Sequence, residues 1–123
     1  MHRIFLRAKL HRATVTSADL DYEGSISIDR DLCTAAGLLE FEQVDIYDIT
    51  NGSRFTTYVI YGEPGQIQIN GAAAHLARPG DLVIIAAYTH LLPQEVSDHK
   101  AIIVQVDEKN QVASRKESPV RKP

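Results

Sequence analysis

Residues 44–61 read Val44-Asp45-Ile46-Tyr47-Asp48-Ile49-Thr50-Asn51-Gly52-Ser53-Arg54-Phe55-Thr56-Thr57-Tyr58-Val59-Ile60-Tyr61. The first six alternate apolar and polar-tipped side chains, the period of two that puts one face of a strand on a core. Asn51-Gly52 follows, a pair that tolerates the positive φ angles of a tight two-residue turn whose twist matches antiparallel strands. Arg54–Tyr61, rich in aromatic and β-branched residues, is the returning strand. A β-hairpin therefore occupies the middle of the chain.

The flanks repeat this grammar. In Arg3–Thr16, Ile4, Leu6, Ala8 and Leu10 alternate with Arg3, Phe5, Arg7 and Lys9; Val15 is out of step, so a bend is expected near Arg12-Ala13. Ser17–Gly24 reads as a loop and Ser25–Ile28 as a short strand. Asp29 suits the N-cap of a helix over Arg30–Ala36, with Gly37 as the left-handed residue ending it. Ile67-Gln68-Ile69 is a strand, Asn70-Gly71 a turn, and Ala72–Leu76 one or two helical turns stopped before Pro79-Gly80. Asp81–Tyr88 is a continuous apolar run, expected to be buried on both faces, and Ala101–Val106 is the last strand. Many short strands joined by tight turns and brief helices predict a mostly β fold, a small barrel with short helices, as one domain over residues 1–108.

The chain has 123 residues, with 44% hydrophobic and 24% charged, as in an ordinary globular domain. No apolar run approaches the ~20 residues of a membrane span. The charged N-terminus does not resemble a signal-peptide core, so a cytoplasmic location is expected. Residues 109–123 carry five Lys or Arg against Glu117 alone, a local charge of +4, whereas residues 1–108 carry 8 basic and 15 acidic residues. This basic segment lacks apolar periodicity and is expected to be a disordered, solubilising tail with no nucleic-acid role.

Borrowed chemistry is scarce. A single cysteine, Cys33, excludes a disulfide framework or Cys-rich metal site, and its place inside the helix marks it as core filler rather than nucleophile. The five histidines show no i, i+4 pair, and Asp19–Gly24 lacks the ligand schedule of a calcium loop, so no metal is expected. No Gly-rich phosphate fingerprint occurs. Gly24-Ser25 alone reads as a turn dipeptide. If that peptide were held in strain, though, the Ser25 hydroxyl could attack the Gly24 carbonyl and move the acyl group from nitrogen to oxygen. Lys9 and His11 fall on one face of the first strand. Arg54 is suited to gripping a carboxylate in a planar fork, and Tyr58 carries a phenol able to give a proton. The same Arg and Thr residues would also suit an exposed β face, and Tyr58 a core position.

Several blocks occur together in order. They are Lys9-Leu10-His11-Arg12-Ala13-Thr14-Val15-Thr16, Tyr22-Glu23-Gly24-Ser25, Thr50–Tyr58, Asn70-Gly71-Ala72-Ala73-Ala74-His75 and Pro79-Gly80-Asp81. In these the sequence closely resembles the pyruvoyl-dependent aspartate decarboxylases over most of residues 1–105. The resemblance implies a double-psi β-barrel in a homotetramer with active sites between subunits. It also implies self-cleavage between Gly24 and Ser25, giving a β chain of residues 1–24 and an α chain that starts at residue 25. Ser25 would become a pyruvoyl group, with neither metal nor PLP, that takes L-aspartate as a Schiff base and releases β-alanine for pantothenate synthesis.

By the same resemblance Tyr58 protonates the product carbon. Arg54, Lys9, Thr57 and the backbone of Gly71-Ala72-Ala73 bind substrate. Thr57 and Asn70 hold the Gly24 carbonyl during cleavage, and His11 and Tyr22 line the same region. Some members of the family use a maturation partner. The family pattern is departed from at Tyr47, where some relatives carry a larger aromatic, and by one residue fewer between Tyr58 and Asn70. Two other functions fit parts of the sequence: a small DNA-binding β-barrel, or a pyruvoyl decarboxylase acting on another amino acid such as glutamate.

Overall fold

In the computed structural model, which describes residues 1–123, Arg3–Thr14 forms β1. Ala8 and Leu10 are fully buried, so alternation turns Lys9 and His11 to the opposite face. The bend near Arg12 is a bulge in which Arg12 takes φ +69° and the pairing register slips between His11 and Ala13. There follow β2 (Ser17–Asp19), β3 (Ser25–Asp29), helix α1 (Arg30–Ala36), β4 (Gln43–Asp48), β5 (Arg54–Gly62), β6 (Ile67–Asn70), β7 (Leu82–Leu91), β8 (Lys100–Val106) and β9 (Val112–Pro119). Two 3-10 turns, Gly71–His75 and Pro93–Asp98, complete the set.

The strands lie in the order β2-β6-β3-β5-β4-β7-β1-β8-β9. β1 and β2 are consecutive parts of one run, and that run stands at both ends of the first seven strands. Thr16 N–H donates to Ile67 O at 2.8 Å and Val15 N–H to Asp81 O at 2.9 Å, joining the run to both sides. The sheet therefore curls on itself as a small barrel. Leu10, Ile26, Ile28, Ile46, Ile67, Ile69 and Ile85 fill its interior. Burial of side chains of this size contributes roughly 1.5–3 kcal/mol each.

Helix α1 forms where its caps place it. Asp29 Oδ1 accepts the Asp31 N–H at 2.7 Å, and Gly37 closes the helix at φ +71°. Its inner face buries Leu32, Cys33 and Ala36. Burial, with a smaller push from Asp29, raises the Cys33 thiol to about 12, which keeps it protonated and inert.

Three expectations need correction. The Ser17–Gly24 segment is not loop throughout, because β2 pairs in parallel with β6. The apolar run in β7 is not buried on both faces. Val83, Ile85 and Ala87 face the core, but Leu82 and Ile84 are half-buried and Tyr88 is exposed. On that outer face Ala86 is buried, while the Tyr88 end is open to solvent.

The third concerns residues 109–123, which are not a disordered tail: Val112–Pro119 pairs antiparallel with β8. Asn110, at φ +58° and 2% exposed, anchors the approach to that strand. Its Oδ1 accepts the Thr14 N–H at 2.8 Å, and its Nδ2 donates to Thr14 O and Gly65 O at 2.8 and 2.9 Å. The side chains of β9 are almost all exposed, so the segment carries no apolar pattern to read; backbone pairing and one asparagine order it.

The hairpin turn brings a carboxyl pair together. Asp48, 3% exposed, accepts the Thr50 and Asn51 N–H groups through Oδ1, while its Oδ2 is buried with no donor. Burial, and then the hydrogen bond with Asp81, raises Asp48 to about 6; the same bond lowers Asp81. Asp48 therefore binds its proton more tightly in the fold. Its stabilising contribution is complete below the unfolded value of 3.8 and is lost as pH rises through about 6. Asp81 has the opposite sign and contributes above 3.8. Asp48→Asn keeps the turn acceptor and gives Asp81 a permanent donor. We expect its stability to stay level from pH 4 to 7, where the unmodified chain loses about 1–3 kcal/mol. Parallel declines in denaturant midpoints would refute the shared proton.

Candidate active site

Ser25 opens β3 between two strands. It pairs with Asn70 on β6, and one step back along the parallel register with β5 it lies beside Tyr58. Ile26 and Ile28 point into the barrel, so Ser25 and Ser27 share the other face. Even there Ser25 is only 1% exposed. Its hydroxyl donates to Glu23 O at 3.1 Å, and its Oγ accepts from Asn70 Nδ2 at 2.9 Å. The same amide nitrogen donates to Ser27 Oγ at 3.1 Å. Asn70, itself fully buried, thus holds the serine oxygen rather than the Gly24 carbonyl.

Gly71 shapes the other side. Its φ is +75°, and a Cβ placed on it would stand 2.7 Å from Gly24 Cα, 2.8 Å from Gly24 N and 3.2 Å from Tyr22 O. Only a residue without a side chain lets the Tyr22–Gly24 backbone lie this close. Ala72 and Ala73 follow in the 3-10 turn, the first exposed and the second packed against the core edge. The Tyr22 side chain is half exposed. The structure therefore brings Tyr22, Gly24, Ser25, Asn70, Gly71 and Tyr58 together.

Lys9, His11 and Arg54 lie in other rows of the sheet. One cross-sheet row runs His11 on β1, Ile84 on β7, Tyr47 on β4 and Arg54 on β5. Three strand spacings separate His11 from Arg54, about 14 Å. Lys9 stands in the neighbouring row with Ala86, Asp45 and Thr56. Along β5, Arg54 and Tyr58 are four residues apart, about 13 Å. Alternation places Thr57 with the inward-leaning Phe55 and Val59, and no hydrogen bond joins it to Gly24. Lys9 and His11 on β1 and Arg54 at the start of β5 thus stand in other rows of the sheet than Ser25, whereas Thr57 falls opposite Gly24 when the β3–β5 register is carried two steps back from Ile26.

Local chemistry on that outer face is nevertheless well defined. The Arg54 guanidinium stacks 4.0 Å over the Tyr47 ring, which fixes the plane of its fork. The Tyr47 and Tyr88 hydroxyls lie 2.7 Å apart, and burial followed by this bond raises Tyr47 to about 12. Thr56 Oγ1 donates to Asp45 Oδ1 at 2.7 Å. Burial, then the charges of Lys9 and Arg12, lowers the pKa of His11, whose Nδ1 is buried without a partner. Phe41, Gln43, Thr56, Thr57 and Tyr58 line an open groove beside the Tyr58 ring.

The family model for aspartate decarboxylase matches residues 1–113, which is nearly the whole barrel and its approach to β9. The chain belongs to the aspartate decarboxylase family. It is accordingly a decarboxylase, an enzyme of the carboxy-lyase class. Three similar proteins bear the name aspartate 1-decarboxylase. The one from Hydrogenobaculum sp. is 54% identical over 112 residues, covering 91% of this chain and 90% of that protein. The one from Mycolicibacterium smegmatis is 51% identical over 123 residues, covering 98% and 90%. The one from Myxococcus xanthus is 54% identical over 114 residues, covering 91% and 88%. No helix of this family member is long and apolar enough to cross a membrane.

Sequence reasoning overlooked Ser27 and Gln68, which bond to Asn70, and Ser17 and Gln66, which bond to Gln68. A signal was available: Ser25-Ile26-Ser27 and Gln68-Ile69-Asn70 each alternate polar and apolar residues, which puts the polar ones of paired strands on one face.

Proposed function

We propose that this decarboxylase cleaves its own Gly24–Ser25 bond and then converts L-aspartate to β-alanine and CO2. The observation that carries this reading is the pairing of a buried, Asn70-held Ser25 hydroxyl with a Gly24 backbone pressed against Gly71. Ser25 Oγ attacks the Gly24 carbonyl carbon, the C–N bond breaks, and the acyl group passes from nitrogen to oxygen. Loss of the Ser25 α-proton expels the Gly24 carboxylate, and the resulting dehydroalanine takes up water and releases ammonia. A pyruvoyl group is left at residue 25.

That site fits the group. Ser25 heads a strand, directly after a glycine and beside a phenol, with no metal ligand needed. The group supplies a ketone to capture the substrate amine and a sink for the electrons of the lost carboxylate. The chain's own residues do the rest. Arg54 and Lys9 bind carboxylate, Thr57 and the Gly71-Ala72-Ala73 backbone bound the pocket, and the Tyr58 hydroxyl delivers a proton to carbon. His11 and Tyr22 border the cleavage loop.

Lys9 on β1 and Arg54 at the start of β5 stand in other rows of the sheet than Ser25. A homotetramer, in which the outer face of β7 around the exposed Tyr88 packs on a neighbour, joins them with Ser25 across subunits. The double-psi form of the barrel, a cytoplasmic location and a place in pantothenate synthesis belong to the same proposal.

The test is an intact-mass spectrum of aged, purified protein, read with β-alanine release from aspartate. Two fragments split after Gly24, the larger without an N-terminal amine, are expected. Full-length chain with undiminished decarboxylation would overturn the reading, and comparable kcat/KM on glutamate would reassign the substrate.

Arg54→Lys keeps the charge but loses the planar fork. It should raise KM for aspartate about tenfold, the equivalent of ~1.4 kcal/mol, with kcat changed less. Steady-state kinetics indistinguishable from the unmodified enzyme would remove Arg54 from the pocket.

A further inference from the structure

Three side-chain amides lead from the barrel surface to Ser25. The Glu63 N–H donates to Gln66 Oε1 at 2.8 Å. Gln66 Nε2 donates to Gln68 Oε1 at 3.2 Å, and Ser17 Oγ donates to the same oxygen at 2.8 Å. Gln68 Nε2 donates to Asn70 Oδ1 at 2.7 Å. Asn70 Nδ2 then donates to Ser25 Oγ and Ser27 Oγ.

The two ends of an amide have nearly the same shape, so its orientation is decided by its partners. A backbone N–H can only donate. Glu63 therefore requires an oxygen from Gln66, which turns the nitrogen of Gln66 toward Gln68. That in turn directs the Gln68 nitrogen to Asn70, and the Asn70 nitrogen to Ser25. Each amide passes the constraint inward. Space is left for the first link as well, since a Cβ on Gly62 would stand 2.6 Å from Gln66 Oε1.

From this geometry we infer that Gln68, backed by Gln66, is a positioning residue for self-cleavage: it makes Asn70 a donor to Ser25. The inference rests on the proposed cleavage of Gly24–Ser25. With Asn70 donating to one lone pair of Oγ and the hydroxyl proton on Glu23 O, the second lone pair remains for the Gly24 carbon. Were Asn70 reversed, its Oδ1 would draw the hydroxyl proton to itself and rotate the nucleophile.

The experiment follows cleavage half-times by intact mass in full-length Gln68→Glu, Gln68→Met and the unmodified protein, with thermal midpoints. A glutamate carboxylate places an acceptor against Asn70 Oδ1 and reverses the amide. Cleavage of Gln68→Glu should slow at least tenfold at pH 7.5. It should recover as the pH falls toward about 4–5, where a protonated glutamate again donates. Gln68→Met should be slow throughout, and the unmodified chain should show no such acid recovery.

Folded variants that cleave within twofold of the unmodified chain at pH 7.5 would overturn the relay and leave the cleavage reading standing. A slow Gln68→Glu without acid recovery would assign the loss to packing and also overturn it. An unmodified chain that never cleaves would remove the cleavage reading and the relay together. If Gln68 variants do not fold, Gln66→Ala at the surface end is decisive. Threefold slower cleavage is expected there, and an unchanged rate overturns the proposal.

Discussion

Ser25→Ala should leave a chain that stays whole through prolonged warm incubation and whose aspartate decarboxylation does not rise above background. The substitution removes one oxygen, and with it both the proposed nucleophile and the source of the pyruvoyl group. It should do so without dismantling the site. Asn70 Nδ2 keeps its bond to Ser27 Oγ at 3.1 Å, so the buried amide still has a partner. The expected loss of stability is therefore small, about 1 kcal/mol. Intact mass, a β-alanine assay and a thermal melt on one preparation separate these effects. Decarboxylation by an uncleaved Ser25→Ala chain would sink the mechanism.

Gly71→Ala should be almost as severe, for a different reason. Gly71 has φ +75°, a conformation that costs a side-chain-bearing residue roughly 1–2 kcal/mol. Its added methyl would also stand 2.7 Å from Gly24 Cα and 2.8 Å from Gly24 N, both rigid backbone atoms of the residue donating the scissile carbonyl. Something must move, and the atoms closest to it belong to the residue that carries the scissile carbonyl. Cleavage should slow at least about a hundredfold, since misplacement of reacting atoms by 1 Å can have that effect. Gly52→Ala is the matched control. Its φ is +81°, yet nothing lies within 4 Å of the new methyl. It should lose comparable stability and cleave at the normal rate. Equal cleavage rates in the two variants would detach Gly71 from the processing geometry.

The β4–β5 hairpin, the Asp29 and Gly37 caps and the break at Arg12 were legible because each is decided locally, by φ preference or by alternation. The turn is nevertheless not the two-residue one expected: five residues, 49–53, join the strands and only Gly52 of the Asn51-Gly52 pair takes positive φ. The β9 strand was not. Its side chains bury little, and its order comes from pairing with β8 and from Asn110, whose partners Thr14 and Gly65 are distant in sequence. The partial exposure of the outer face of β7 escaped for a related reason: an apolar run reports that burial is wanted without saying what supplies it.

At the candidate site, Gly24-Ser25 gained meaning only from the blocks around it. Gln66 and Gln68 carry no chemical label, and the direction of an amide chain exists only once its partners are in place. Spacing along the sequence put Lys9, Arg54 and Ser25 on three separate strands, but not which rows of the sheet those strands would share.

The anchoring of Thr14 by Asn110 also bears on timing. The strand that opens the barrel takes its neighbours from β7 and β8, and its end is pinned by a residue near the C-terminus. During synthesis the first 24 residues are therefore among the earliest made and the latest to be fully enclosed. A chain that cut itself before that enclosure would lose its opening strand into solution. With β1 flanked by β8 and pinned by Asn110 only after residue 110 has emerged, a cut made after that point would leave the two products held together.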